Sequence, residues 1–324
     1  MIERKKISRF ANKKLSRIGF GGAAISGEGG GYGFGAINEQ SAIELLKRSF
    51  DAGINVFDTA PVYGFTLSER RIGKAFKNLR DSVFIISKCG VTYDQNKRIR
   101  ISNDPKIAKE MLDQSLKDLQ SDYIDLYMIH WPDDYFDIRS TLEVLVRAQE
   151  SGKIKYIGLA NTNIVDLERA EEIVGKRGVD AVQSELNIFN RVVVDEIFLY
   201  LREKEIPFFA WGTLDKGIIS GRVNRDRYES YDSYDARSWA PWWKNPKAKE
   251  LREKKILAME EIRSEMSGLS GLSLGVNHNL SYLEVTSTLC GVRNLEQLEQ
   301  LSSLQNVDVG DIDKALRIVK KYGF

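Results

Sequence analysis

The stretch Ile54-Asn-Val-Phe-Asp-Thr-Ala-Pro-Val-Tyr63 decides how this chain is read. Its apolar residues 54–57 form a short buried strand, and Pro61 marks the loop into which that strand opens. A carboxylate, Asp58, and a phenol, Tyr63, therefore stand together at one strand end. Two later strand ends supply what such a phenol needs. Val83-Phe-Ile-Ile-Ser-Lys88 ends on an ammonium, and Ile124-Asp-Leu-Tyr-Met-Ile-His130 ends on an imidazole.

Working outward, the same rhythm recurs along the chain. Apolar or β-branched runs lie near 15–20, 54–58, 83–88, 123–130, 155–160, 180–184, 206–211 and 285–290. Helical patterns fill the intervals. Asp104-Pro105 followed by Ile107, Met111, Leu112, Leu116 and Leu119 reads as a cap, a first-turn proline and one apolar face. Ser41 to Asp51, with Ile43, Leu45, Leu46 and Phe50, reads as another helix. The strands lack strict polar alternation, as expected where both faces are covered. Strand–helix alternation of this kind predicts a parallel α/β architecture, and eight units fill a TIM-type (β/α)8 barrel. The expected fold is one domain over residues 1–324, with an N-terminal strand or hairpin segment and a C-terminal helix.

Two stretches break the rhythm. Residues 24–37 are crowded with glycine around Tyr32 and Phe34, and residues 214–245 are charged and aromatic, with Tyr228, Tyr231, Tyr234, Trp239, Trp242 and Trp243. Both follow a strand, so in a barrel both lie over the C-terminal mouth, where barrel sites are built. Long loops of this kind usually serve a ligand.

Composition narrows the function. The 324 residues are 42% hydrophobic and 29% charged, ordinary for a globular protein, and the net charge of +2 has no basic stripe for nucleic acid. No long uncharged apolar segment predicts a membrane span, and no leader is expected from the charged residues after Met1. Cys89 and Cys290 are too few for a disulfide framework or a zinc site, so no metal is expected, and they fit a reducing cytoplasm.

Taken singly, the site candidates have plainer readings. Asp58 caps a helix, Tyr63 ends a turn, Lys88 is a solvated charge and His130 a satisfied core residue. Their joint placement at neighbouring strand ends favours chemistry instead. A phenol is a poor acid at neutral pH, and a nearby ammonium lowers its pKa. Lys88 is expected to do so, with Asp58 as counter-ion and His130 orienting a substrate oxygen. The result is a proton delivered to a developing alkoxide, the acid half of carbonyl reduction. Gly19-Phe-Gly-Gly-Ala-Ala24 scans as a dinucleotide fingerprint, but residues 26–35 cannot propagate the helix that motif requires.

Over nearly its whole length the chain resembles the aldo-keto reductase family. The resemblance rests on Gly53-Ile-Asn-Val-Phe-Asp-Thr-Ala-Pro-Val-Tyr-Gly64 with Ser68-Glu69, on Ile85-Ile-Ser-Lys88, and on Tyr123-Ile-Asp-Leu-Tyr-Met-Ile-His-Trp-Pro132. Gly152-Lys-Ile-Lys-Tyr-Ile-Gly158, Gln183-Ser-Glu-Leu-Asn-Ile-Phe-Asn-Arg191 and Gly291-Val-Arg-Asn-Leu-Glu-Gln297 extend it. It implies hydride transfer between NADPH, with NADH as the alternative, and a small aldehyde or ketone, with Tyr63 as acid beside Asp58, Lys88 and His130. It further implies a cofactor site of Gly22, Asp58, Asn161, Gln183, Trp211, Gly212, Thr213, Leu214, Lys216, Gly217, Gly291, Arg293 and Gln297. Ala160 stands where the family usually has a small hydroxyl residue, Trp211 replaces a stacking tyrosine, and Gln300-Leu301 replaces a glutamate–asparagine pair. Tyr63, His130, Trp131 and Trp239 are the expected substrate contacts. A regulatory NADPH-binding protein with slow turnover and a sugar dehydrogenase are the alternatives.

Overall fold

Alternation with period two sets the two faces of every strand, and here it sorts apolar residues to both. The computed structural model describes residues 2–133, 135–226 and 230–324. An antiparallel hairpin opens the chain, β1 (Arg4–Ile7) with β2 (Lys13–Ser16). Then come β3 (Ile18–Gly21), helix α1 (Glu39–Asp51), β4 (Val56–Asp58), α2 (Leu67–Phe76) and β5 (Phe84–Cys89). A second hairpin, β6 (Val91–Tyr93) with β7 (Ile99–Ile101), stands on the mouth after β5. The chain continues through α3 (Pro105–Asp118), β8 (Ile124–Ile129), α4 (Ile138–Glu150), β9 (Ile154–Ala160), α5 (Ile164–Val174) and β10 (Ala181–Glu185). Short helices α6 (Val192–Glu196) and α7 (Phe198–Glu203) lead to β11 (Phe208–Trp211). After it come α8 (Pro241–Lys244), α9 (Pro246–Glu265), α10 (Gly271–Leu280), β12 (Val285–Cys290), α11 (Leu295–Ser302) and α12 (Val309–Lys321).

Strands β3, β4, β5, β8, β9, β10, β11 and β12 close into a parallel barrel in that order, the TIM-type architecture expected from the sequence. The run near 15–20 divides between two elements. Ser16 and Asn55 bind each other, the Asn55 side chain accepting from Ser16 N–H at 2.8 Å, and this pins the hairpin beneath the barrel. Ile7, Phe10 and Leu15 plug the floor against interior residues Val56, Phe84, Ile86, Leu126, Met128 and Phe209. The Phe10 ring lies 5.1 Å from that of Phe84. Deleting a fully buried ring of this kind costs about 3–5 kcal/mol.

The opposite face of each strand packs on helices; Phe57, for example, meets Phe76 of α2 at 4.4 Å. Helix α3 starts as its sequence predicts, with Asp104 accepting from Lys106 N–H at 2.8 Å ahead of Pro105. Helix α1 begins before Ser41, because Asn38 supplies the cap and accepts Ser41 N–H at 2.9 Å. Among the described residues, no helix is long and apolar enough to cross a membrane.

Above the mouth, the two irregular stretches are joined. Phe34 and Asp235 form an antiparallel bridge, Ala236 N–H donates to Gly33 O at 2.9 Å, and Gly35 N–H donates to Tyr234 O at 3.2 Å. Arg237 pairs with Asp235 at 2.6 Å and donates to Lys216 O at 2.7 Å. Tyr228 of the aromatic stretch lies outside the described residues.

Candidate active site

Interior residues run Val56, Asp58 on β4; Phe84, Ile86, Lys88 on β5; Leu126, Met128 on β8 with His130 next; and Ala181, Gln183 on β10. Period two thus carries each strand's apolar interior row directly into a polar residue at the mouth. The site is the last layer of the barrel core.

Lys88, fully buried, donates to Asp58 Oδ1 at 2.5 Å and to Thr59 O at 3.0 Å. Asp58 Oδ1 also accepts the Gln183 side-chain amide at 2.9 Å. The Tyr63 ring stands partly buried above them, 5.5 Å from Lys88 Nζ. Its centre lies 6.0 Å from that of the His130 ring, the two planes nearly perpendicular at 86°. The backbone fixes both rings: Tyr63 N–H donates to Ala60 O at 3.0 Å, and His130 N–H to Cys89 O at 2.8 Å. The structure brings Asp58, Tyr63, Lys88 and His130 to one point.

The electrostatics differ in one respect from the sequence expectation. Burial, and then the Asp58 carboxylate, push the Tyr63 phenol well above its ordinary value. Lys88, in direct contact with Asp58, does not reverse that rise. Burial draws the Lys88 ammonium down, and Asp58 opposes that shift. Burial, with Lys88 nearby, holds His130 well below the usual imidazole value, so the ring is neutral at physiological pH.

A cleft of about 1620 Å³ runs from these residues along the mouth. Asn161, Gln183, Trp211, Gly212, Thr213, Leu214, Lys216, Gly217, Gly291, Arg293 and Gln297 line it. Asn161 accepts the Trp211 indole N–H at 2.9 Å and donates to His130 O at 2.9 Å, which sets the indole's orientation. Thr213 donates to Leu289 O at 2.9 Å and anchors the loop that follows Trp211. Lys216 pairs with Glu185 at 3.0 Å and Asp215 at 3.2 Å. At the far end Arg293 donates to Ala36 O at 2.8 Å, and its N–H is taken by Gln297 Oε1 at 3.0 Å.

Some expected residues sit elsewhere. Gly22 lies behind the cleft wall, where an added Cβ would meet Asp58 O and Ser68 Oγ at 2.5 Å; its neighbours Gly21 and Ala23 line the cleft. Trp131 lines the cleft, whereas Trp239 is 45% exposed and stacks on Tyr32 at 5.9 Å, so Tyr32 is the wall and Trp239 its support. Sequence reasoning passed over Glu185, which follows Gln183 by one strand period and so reaches the same cleft. It also passed over Asp235, which the loop junction buries.

The model of the aldo/keto reductase family matches residues 17–320. The chain belongs to the aldo/keto reductase family. Aldo/keto reductases are NAD(P)-dependent oxidoreductases. Among its relatives, the aldo-keto reductase YhdN of Bacillus subtilis is 32% identical over 310 residues, 94% of this chain and 90% of that one. The NADH-specific methylglyoxal reductase of Escherichia coli is 29% identical over 318 residues, 93% of each. In structure, this aldo/keto reductase superposes on the glycerol dehydrogenase of Gluconobacter oxydans with a TM-score of 0.80 at 26% identity, covering 99% of this chain and 95% of that one.

Proposed function

We propose that this aldo/keto reductase reduces a small aldehyde or ketone to the alcohol, with Tyr63 delivering the proton. The observation that carries the reading is the buried Lys88–Asp58 contact at 2.5 Å beneath a phenol set perpendicular to the His130 ring.

A neutral His130 can donate one ring N–H to a carbonyl oxygen and set its direction. The same oxygen then lies within reach of the phenol. With its pKa held up, Tyr63 keeps its proton until negative charge develops on that oxygen, and an alkoxide is basic enough to take it. The Lys88 ammonium, 5.5 Å from the ring, steadies the phenolate left behind.

The cleft fits a nicotinamide dinucleotide. It exceeds the roughly 300–1,000 Å³ of a drug-sized pocket. Its walls offer an oriented indole face at Trp211, amides at Asn161 and Gln183, and a guanidinium at Arg293. Those residues, with the loop from Gly212 to Gly217, would hold the cofactor, and the cofactor would supply the hydride. Arg293 suits the 2′-phosphate of NADPH, while the methylglyoxal-reducing relative is specific for NADH by name.

Oxidation of a polyol or sugar is the second reading. It draws on the glycerol dehydrogenase likeness and on the aromatic walls Tyr32, Trp131 and Trp242. The raised phenol weighs against it at neutral pH, since oxidation needs Tyr63 as a base.

The test is the rate of NADPH and NADH oxidation over a panel of aldehydes, ketones and sugars, for the native protein and for Tyr63→Phe. Rapid carbonyl turnover that Tyr63→Phe loses is expected. A Tyr63→Phe enzyme with native rates ends the assignment of the acid. Tight cofactor retention without turnover on any member of the panel moves the reading to a binding role.

A further inference from the structure

Ser68 and Glu69 belong to the family-like stretch after Tyr63, yet neither faces the cleft and neither has a part in the chemistry above. Both are fully buried in the first turn of α2. Their hydrogen bonds go to the residues that carry the site.

Ser68 N–H donates to Tyr63 O at 3.2 Å. Ser68 Oγ accepts from Thr59 Oγ1 at 2.8 Å and donates to Gly22 O at 3.1 Å. Thr59 follows Asp58, and its own carbonyl receives the Lys88 ammonium at 3.0 Å. Glu69 Oε1 accepts from Ser87 Oγ at 2.6 Å, and Ser87 is the residue before Lys88, pointing out of the barrel as Lys88 points in. One dipeptide therefore grips the backbone of the phenol and the chain neighbours of both the carboxylate and the ammonium.

A buried carboxyl is costly without a counter-charge in contact, and a helix that served packing alone would place an apolar side chain here. Among the described residues Glu69 has no such cation in contact. Its Oε2 makes no hydrogen bond of ordinary geometry among the described residues, although the nearby Ser115 hydroxyl favours its charged form. The groups around it are Ser87 and Lys88 from β5, Ser115 and Asp118 from α3, Tyr127 from β8 and Tyr93 from β6. Lys88 is the cation among them.

We propose that Ser68-Glu69 is the positioning element of the active site: it holds Tyr63 and the Asp58–Lys88 pair in register, and the Glu69 carboxylate sustains the charge of Lys88 through the barrel wall. The inference rests on the Tyr63 reading given above. Burial raises Glu69 to about 7, so its charge changes in the working range of pH. Ionised above that value, Glu69 supports the ammonium; protonated below it, the support is lost.

The experiment compares Ser87→Ala, Glu69→Gln, Glu69→Leu and Tyr63→Phe in the full chain with cofactor. Misplacement of catalytic groups by a fraction of an ångström is felt in kcat, so Ser87→Ala and Glu69→Leu should each lose about tenfold or more in kcat with KM and cofactor affinity close to native. Glu69→Gln keeps an acceptor for Ser87 and should retain most of kcat at pH 6, but lack the rise in kcat expected of the native enzyme across pH 7. Native kcat per folded molecule in Ser87→Ala and Glu69→Leu, with an unchanged profile in Glu69→Gln, overturns the inference. Should Glu69→Leu fail to fold, the two conservative variants decide alone. An inactive Tyr63→Phe beside unaltered Ser87 and Glu69 variants sinks only this inference; an active Tyr63→Phe sinks the acid assignment and this inference with it.

Discussion

Gln183 donates its side-chain amide to Asp58 Oδ1 at 2.9 Å, the same oxygen that Lys88 holds at 2.5 Å. One carboxylate oxygen thus joins the ammonium beneath the phenol to a residue proposed for the cofactor. The Gln183 carbonyl oxygen and second N–H are left to meet a carboxamide.

Removing Gln183 therefore acts on cofactor binding more than on folding. A hydrogen bond of this type contributes about 1 kcal/mol, so Gln183→Ala should raise the cofactor Kd about fivefold. Quenching of the Trp211 indole on titration measures it. An unchanged Kd removes Gln183 from the cofactor site.

Lys88→Met leaves Asp58 buried without its cation. Breaking a buried pair from one side costs about 3–5 kcal/mol, so a large fall in Tm is expected. Pairing it with Asp58→Asn should restore much of that stability and none of the activity. A double variant as unstable as the single one would show that the lysine stem, not the charge, matters to the fold.

The pH dependence follows from the directions of shift. Tyr63 is raised well above its ordinary value, so it stays protonated through neutral pH, as reduction requires. His130 is lowered well below its ordinary value and stays neutral from physiological pH down through mild acid. Neither group should put a limb on the reduction profile between about pH 6 and 8. Alcohol oxidation needs the phenolate, so its kcat should climb steadily as pH rises. Matched profiles in the two directions would contradict the raised phenol.

The barrel was legible because apolar runs of strand length recur between helical patterns, and because Asp58, Lys88 and His130 each end such a run. Their convergence follows from strand ends meeting at one mouth. What was illegible depends on contacts between distant loops. The Phe34–Asp235 bridge forms between two irregular stretches far apart in the chain, and turn geometry rather than periodicity brings them together. The Asp58–Gln183 contact crosses the barrel interior, and nothing local to either strand announces it. The direction of the Tyr63 shift was illegible for a related reason: residue types place a cation near the phenol, but only distances show that Asp58 is in direct contact with it.

Gly22 packs against the end of β4 and the start of α2, where a side chain has no room. An added Cβ would lie 2.5 Å from both Asp58 O and Ser68 Oγ. The serine hydroxyl can rotate away, but the carbonyl belongs to the end of β4 and moves only with Asp58. Gly22→Ala should therefore lose about 1–3 kcal/mol of stability, typical of overpacking. Shifting Asp58 also drags Lys88 and loosens the Thr59–Ser68 hydrogen bond, so kcat should fall further than that of a variant destabilised equally on the barrel floor, such as Leu15→Val. Cofactor affinity should stay near native, since Gly22 lies behind the cleft wall. Chemical denaturation, steady-state kinetics and cofactor titration on the two variants separate the effects. A Gly22→Ala protein that keeps native kcat but binds cofactor weakly would return Gly22 to the cofactor site.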